Sequence, residues 1–318
     1  MMRHTVSQIG AARTKKGFFY EIRTNYGLYL LVAPAVLFAL VFKYLPMAGI
    51  IIAFENYNPI KGLFGSEFVG FDNFRFFFRG SQWLNVTFNT LFLNILFIIT
   101  GTIASVSIAI IMTELGKSTY VRITQSVMIL PNFIAWAVVA MFTQAFIGSE
   151  GGVINNILTS LGGQNIAFYS EPSVWPGIFV LVRIWKGAGF GAIVYMAAIM
   201  GIDTDIYTAA KMDGAGRLQS IFLITIPLLK DTVILLILLS VGGIFYGDFG
   251  MIYTFVGDNT LLYSTTDVID TYVFRALRTF GSMGMSAAAG LYQSVFGFIF
   301  VVGANAMAKK LNSGMGIF

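Results

Sequence analysis

The sequence predicts an all-α, polytopic membrane protein with about six transmembrane helices. Of its 318 residues 57% are hydrophobic and only 11% are charged, and the mean hydropathy is +0.78. Soluble domains are much less apolar. Lipid offers no partner for an unpaired backbone group, so the crossing segments must be helices. Apolar stretches long enough to cross a bilayer cover residues 28–54, 84–113, 120–146, 174–200, 231–256 and 283–308.

Lysine and arginine outside these spans predict the orientation. One side of the membrane receives Arg3, Arg13, Lys15, Lys16, Arg23, Lys117, Arg122, Lys211, Arg217, Lys230, Lys309 and Lys310. The other side receives only Lys61, Arg75, Arg79, Arg275 and Arg278. The richer side is expected to be cytoplasmic. The chain then has a cytoplasmic tail (1–26), a six-helix domain (27–308) and a second cytoplasmic tail (309–318), and no cleavable signal peptide is expected.

Catalytic chemistry finds little support in the sequence. The single histidine, His4, and the absence of cysteine exclude a paired-histidine site, a thiolate metal site and a cysteine nucleophile. Gly116-Lys117-Ser118 lacks the earlier glycine of a phosphate-binding loop, so it reads as a helix end. Asp203-Thr204-Asp205 favours the start of a helix over a metal site. The basic residues are dispersed, which argues against a nucleic-acid partner. We therefore expect neither an enzyme nor a bound metal.

A polar segment between the fourth and fifth spans carries the most specific pattern. Thr208-Ala209-Ala210-Lys211-Met212-Asp213-Gly214 is followed by Ile224-Thr225-Ile226-Pro227. Alanine and methionine favour a helix, Gly214 permits a sharp bend, and Pro227 suits the entry to the next helix. The segment resembles the EAA loop of permease subunits in binding-protein-dependent ABC importers, with Thr208 in place of glutamate and Ile226 in place of leucine. An ordinary interhelical loop is the alternative.

The resemblance extends over nearly the whole chain after residue 26. Residues 42–47, 52–57 and 69–74, Leu130-Pro131 and the block 202–215 resemble permeases that import oligosaccharides, including alginate and rhamnogalacturonan fragments. This resemblance implies the type I ABC importer permease fold in a bacterial cytoplasmic membrane. It also implies a second permease chain, two ATPase subunits that hold ATP and Mg²⁺, and an extracytoplasmic solute-binding protein. No cofactor is expected on this chain.

The family resemblance also assigns the loop at 201–230 a role. In such importers the short helix lies along the cytoplasmic face and docks into a cleft of the ATPase subunit. The residues that would couple this chain to the ATPase are Tyr207, Thr208, Ala209, Ala210, Met212, Asp213 and Gly214.

Polar and aromatic side chains within the spans are candidates for contact with a saccharide, because rings stack on pyranose faces and amides bind hydroxyl groups. Arg183 and Lys186 lie one helical turn apart, which suits a uronate or an ion pair with the partner chain. Lys43 can instead reach the membrane interface. Hydrogen bonds between helices are the general alternative. The candidates are Asn89, Asn94, Asn132, Trp136, Gln144, Arg183, Lys186, Tyr195, Tyr246, Asp248 and Gln293.

Two extracytoplasmic segments, 56–82 and 257–282, exceed the length of simple turns. The second is predicted to contain a helix over residues 267–275, whose candidates for contact with the solute-binding protein are Asp267, Asp270, Tyr272 and Arg275. A helix on the bilayer surface is the alternative. The competing function is a secondary transporter driven by an ion gradient, although such carriers normally show acidic residues at membrane depth and internal repeats.

Overall fold

The computed structural model describes residues 20, 23–79, 81–116, 118–148, 151–279 and 281–311. His4, Lys117 and the basic residues before position 20 lie outside this part of the chain. The chain divides into two compact units, residues 1–51 and 52–318. In the first unit, helix α1 (Tyr26–Ala39) continues through a π-helical turn (Leu40–Tyr44) into a 3-10 segment (Leu45–Phe54) that runs on into the second unit.

The second unit consists of helices and one small hairpin. Strands β1 (Glu55–Asn56) and β2 (Glu67–Phe68) pair antiparallel, with Glu55 opposite Phe68. The helices that follow are α2 (Asp72–Phe78), α3 (Gln82–Glu114), α4 (Thr119–Ile129), α5 (Trp136–Ile147), α6 (Val153–Ser160), α7 (Trp175–Met200), α8 (Thr204–Met212), α9 (Arg217–Ser220), α10 (Ile226–Val241), α11 (Phe249–Val256), α12 (Tyr263–Thr266), α13 (Ile269–Arg278) and α14 (Met283–Leu311).

The described residues contain five helices that are long and apolar enough to cross a membrane, or six if one bent pair is a single span. The five are Tyr26–Phe54, Gln82–Glu114, Pro172–Met200, Arg217–Val241 and Met283–Met307. The predicted all-α architecture with about six spans is confirmed. The predicted third span, 120–146, is not one straight helix, because Thr119–Phe133 and Trp136–Ile147 meet at an angle of 98°.

The predicted fifth span, 231–256, has the wrong bounds. The apolar run Ile221–Thr225 forms a π-helical turn that joins α9 to α10, so the membrane helix begins at Arg217. Lys230 therefore lies inside this helix. The chain unwinds after Val241 and resumes as the separate helix α11. Glycines at 242, 243 and 247 favour such a break, because glycine stabilises a helix poorly.

The long helices α3 and α7 pack closely because glycine removes the side chains between them and their neighbours. A Cβ atom at Gly191 would lie 2.5 Å from the Ser105 hydroxyl oxygen of α3. A Cβ atom at Gly189 would collide with the Met128 carbonyl oxygen of α4. These glycines leave α7 in direct contact with both helices.

Candidate functional site

A cavity of about 860 Å³ lies between α3, α7, α10 and the unwound segment 242–248. Its lining includes Phe97 and Phe249, two rings that sequence reasoning missed. Aromatic faces beside amide and charged groups are the chemistry of a saccharide site. We call this space the central cavity. Of the predicted pathway residues, it brings together Asn94, Arg183, Tyr195, Tyr246 and Asp248.

An ion pair lies in the wall of the central cavity. Arg183 Nη1 is 3.0 Å from Asp248 Oδ2, and the guanidinium lies 4.7 Å from the centre of the Phe97 ring. Asp248 also begins α11, where its Oδ1 accepts a hydrogen bond from the Met251 N–H at 3.0 Å. The two side chains are 39% and 27% exposed. The pair is therefore within reach of a solute that enters the cavity.

Three polar side chains hold the unwound segment 242–248. Asn94 Nδ2 donates to two of its carbonyl oxygens, at 3.0 and 3.1 Å. Gln293 Nε2 donates to a third at 2.7 Å and to Asp270 Oδ2 at 2.9 Å. The same carboxylate oxygen accepts the Gly247 N–H at 2.6 Å. Backbone groups that leave a helix at membrane depth need such partners, and these contacts give the break a defined shape.

Other predicted pathway residues lie outside the central cavity. Asn89 is buried and donates to the carbonyl oxygens of Ser264 and Asp267 at 3.2 and 3.0 Å, so it joins α3 to the chain around α12. Lys186 Nζ donates to the Asn132 carbonyl oxygen at 2.6 Å. These contacts have the character of packing between elements rather than of a solute site.

Lys186 also lies 5.1 Å from the centre of the Trp136 ring. Arg183 and Lys186 therefore do not act as a basic pair, despite their spacing of one turn. Gln144 borders a separate cavity beside α5 and α11, and Gln293 is buried against the unwound segment.

The predicted contacts for a solute-binding protein are mostly buried. Asp267 Oδ2 lies 2.6 Å from Arg275 Nη2, and these side chains are 1% and 11% exposed. Thr271 donates to Asp267 Oδ1 at 2.8 Å, and Tyr272 is 4% exposed. Asp270 points toward Gly247, and burial raises the pKa of its carboxyl. The predicted helix exists as α13, but these residues fix it to its neighbours and leave little surface for a partner.

Helix α8 has the shape predicted for the polar loop. Asp203 caps it, accepting the Asp205 N–H at 3.0 Å, in agreement with the predicted start of a helix. Gly214, at φ +83°, makes the bend that follows. Met212 is 84% exposed. On this helix and bend, Thr208, Ala209, Met212, Asp213 and Gly214 are exposed, and Tyr207 and Ala210 are partly buried.

Tyr207 contacts this chain rather than solvent alone. Its hydroxyl lies 2.9 Å from Thr225 Oγ1 at the start of α10. Thr225 is buried, and the sequence predicts no role for it. The hydrogen bond ties α8 to the membrane helix whose far end borders the central cavity.

Comparison with known proteins identifies close relatives over most of the chain, although no family model matches it. It is 39% identical over 285 residues to protein LplB of Bacillus subtilis, which covers 90% of this chain and 89% of that protein. It is 33% identical over 283 residues to the polygalacturonan/rhamnogalacturonan transport system permease protein YteP of Bacillus subtilis, covering 89% and 88%.

Solved structures agree with these relatives. A chain of a bacterial ABC transporter involved in the import of the acidic polysaccharide alginate matches with a TM-score of 0.83 and 31% identity, covering 92% of this chain and 99% of that chain. The alginate transporter in complex with an alginate pentasaccharide-bound periplasmic protein matches equally well, with a TM-score of 0.83 and 31% identity, covering 93% and 98%.

Proposed function

This chain belongs to the family of permease subunits of carbohydrate ABC importers, and from that membership we propose that it forms one half of the pathway for an oligosaccharide that contains uronate units. Permease subunits transport and do not catalyse. The observation that carries the proposal is the central cavity, where amide, aromatic and charged side chains line one space of about 860 Å³. Two of its relatives are named for acidic polysaccharides, alginate and polygalacturonan.

The Arg183–Asp248 pair supports an anionic solute. A uronate carboxylate can replace Asp248 as the partner of Arg183, since both present the same oxygen geometry to a guanidinium. Because both side chains are partly exposed, the ion pair contributes little net free energy and opening it costs little. Phe97 and Tyr246 offer ring faces for the pyranose, and Asn94 offers an amide beside them.

The coupling role belongs to α8 and its bend. The exposed Met212 and the residues around it offer a surface for an ATPase subunit, and the Tyr207–Thr225 hydrogen bond passes displacement of α8 to α10. Two ATPase subunits that bind ATP and Mg²⁺, a second permease chain and a solute-binding protein complete the importer. The complex resides in a bacterial cytoplasmic membrane with both termini of this chain on the cytoplasmic side, and it works by alternating access.

Purification and reconstitution test this assignment. The chain, tagged at its C-terminus and extracted from its native membrane in mild detergent, should bring a second permease and an ATPase with it in stoichiometric amounts. The purified complex, placed in proteoliposomes with its binding protein, should take up alginate pentasaccharide only when ATP is supplied. Uptake that needs an ion gradient and ignores ATP would instead establish a secondary transporter.

A matched pair of variants tests the coupling surface. Met212→Asp places a carboxylate where an apolar side chain is expected to be buried in the ATPase, so ATP-driven uptake should be lost while the chain remains in the membrane. Leu161→Asp also replaces an apolar side chain with a carboxylate, at an 80% exposed position of the extracytoplasmic loop that follows α6. It should leave uptake unchanged. Normal uptake by Met212→Asp would reject α8 as the coupling helix.

A further inference from the structure

A second cavity, of about 360 Å³, opens beside α5 and α11, and its lining includes the polar side chains of Gln144, Tyr169 and Tyr253. We propose that it is an outer saccharide subsite, which holds one pyranose unit of the oligosaccharide before that unit reaches the central cavity. This inference rests on the proposed function. The two cavities share none of their lining residues.

Two polar side chains of the outer subsite lack hydrogen-bond partners within the described chain. The Gln144 side chain and the Tyr169 hydroxyl make no hydrogen bond with any residue that the structure describes, although Tyr169 is only partly exposed. Burial raises the pKa of the Tyr169 hydroxyl, so the group stays protonated and can donate. An amide and a hydroxyl that face an open space match the donors and acceptors of a sugar. A lipid chain would leave both unsatisfied.

An aromatic surface leads from this subsite to the central cavity. The Tyr253 and Phe249 rings stack at 5.1 Å with 12° between their planes. Phe274 packs against both at 4.9 Å, which holds the stack in place. Phe249 lines the central cavity and Tyr253 lines the outer one. A saccharide can therefore move along one face of α11 while its apolar ring faces remain in contact with aromatic side chains.

The orientation of Tyr253 is fixed from outside the subsite. Arg278 Nη1 donates to the Tyr253 hydroxyl at 2.7 Å, and the same hydroxyl lies 3.4 Å from Asp258 Oδ2. The Tyr253 side chain is thus held in one conformation before a saccharide binds, which reduces the entropic cost of binding. The cavity volume falls within the range of about 300–1,000 Å³ typical of small-molecule sites.

Cysteine reporters test the outer subsite, because the natural chain has no cysteine. Met141→Cys replaces a 70% exposed side chain that borders the outer cavity, Phe249→Cys reports on the central cavity, and Leu161→Cys is the exposed control. The assembled importer, in nanodiscs with its binding protein, is treated with a thiol reagent with and without alginate pentasaccharide. By mass action, labelling of Met141→Cys should slow about ten-fold at a saccharide concentration ten times its apparent Kd, and labelling of Leu161→Cys should not change.

The outcomes separate the subsite from the proposed function. Protection at Phe249→Cys without protection at Met141→Cys, in an importer that still takes up the saccharide, would overturn the outer subsite and leave the proposed function intact. No ATP-driven uptake of the pentasaccharide by the unmodified importer would overturn the uronate function, and the subsite with it.

Removal of the polar groups of the outer subsite gives a second measurement, the saccharide concentration at half-maximal uptake. Tyr169→Phe and Gln144→Ala remove the polar groups and keep the backbone, so each should raise the saccharide concentration at half-maximal uptake about three- to ten-fold with little change in the maximal rate, as expected for one lost hydrogen bond. Gln125→Ala, on α4 and outside both cavities, should change neither quantity. Equal behaviour of all three variants would reject the subsite.

Discussion

Removal of Arg275 distinguishes a structural role for α13 from a role in docking. The Asp267 carboxylate is 1% exposed and receives two charge-assisted contacts from Arg275, at 2.6 and 3.1 Å. Arg275→Met keeps much of the side-chain volume and leaves the carboxylate buried with Thr271 as its remaining side-chain partner. An uncompensated buried charge of this kind costs about 3–5 kcal/mol. At roughly 2–4 °C for each kcal/mol, the melting midpoint should fall by roughly 6–20 °C.

The double variant Asp267→Asn with Arg275→Met is the control. Neither ion then remains alone, and the amide can still accept from Thr271, so most of the lost stability should return. The importer in detergent is heated to a series of temperatures, and the fraction that remains monodisperse is measured by size-exclusion chromatography. The affinity for the solute-binding protein is measured on the same samples. A melting midpoint within about 2 °C of the unmodified importer, together with a weakened affinity, would refute the structural role and restore the predicted docking role.

Three further outcomes follow from the geometry. Gly189→Ala should destabilise the importer by about 1–3 kcal/mol because its Cβ atom meets the Met128 carbonyl oxygen, whereas Gly187→Ala, with open space around its Cβ atom, should leave the melting midpoint unchanged; equal midpoints would contradict the close packing of α7. Asp248→Asn keeps the cap of α11 but frees Arg183, so half-maximal uptake of a uronate saccharide should need about two- to five-fold less saccharide and uptake of a neutral one should not change; a loss of affinity would show that Asp248 binds the solute itself. Burial raises the pKa of Asp270 above its ordinary 3.8, so the folded state retains this proton more tightly and the carboxyl's contribution to stability is lost as pH rises from about 3.8 through the raised pKa. Asp270→Asn should therefore reduce the dependence of the melting midpoint on pH over that range. An unchanged pH dependence would assign that dependence to other groups.

The fold class was predictable because it depends on composition and local pattern. Long apolar runs define membrane helices wherever they occur, and the polar segment around Gly214 follows rules that act within a few residues: a cap at Asp203, helix formers after it and a glycine at positive φ. Each of these features is visible without knowledge of distant contacts.

The break after Val241 was not predictable because its causes are distant in sequence. The apolar character of the chain continues through residues 244–246, so hydropathy favoured one span up to residue 256. The unwound backbone is stabilised by Asn94, 150 residues away, and Gln293, 48 residues away, which donate to its carbonyl oxygens, and by Asp270, which accepts the Gly247 N–H. A glutamine or asparagine within a span shows only that some partner exists.

Contacts distant in sequence also explain why only some of the predicted pathway residues line the central cavity. Arg183 and Lys186 are equivalent by helical spacing, yet one meets Asp248 in the central cavity and the other meets the carbonyl oxygen of Asn132. What separates them is the bend of 98° between Thr119–Phe133 and Trp136–Ile147, which brings that carbonyl to Lys186. Periodicity places a residue on a face, but the neighbour of that face decides its chemistry.

Helix α10 runs from its contact with α8 to the edge of the central cavity. At its start, the Tyr207–Thr225 hydrogen bond connects it to α8, and at its end the chain enters the segment 242–248 that lines the central cavity. A helix of 16 residues is stiff over its length, so in the proposed importer a displacement of α8 reaches the cavity as a movement of this segment. The segment in turn carries Asp248 at its edge, so the movement alters the distance between Asp248 and Arg183. Opening that pair exposes the guanidinium to a solute carboxylate, so under the proposed function the position of α8 is linked to the affinity of the cavity for an anionic sugar.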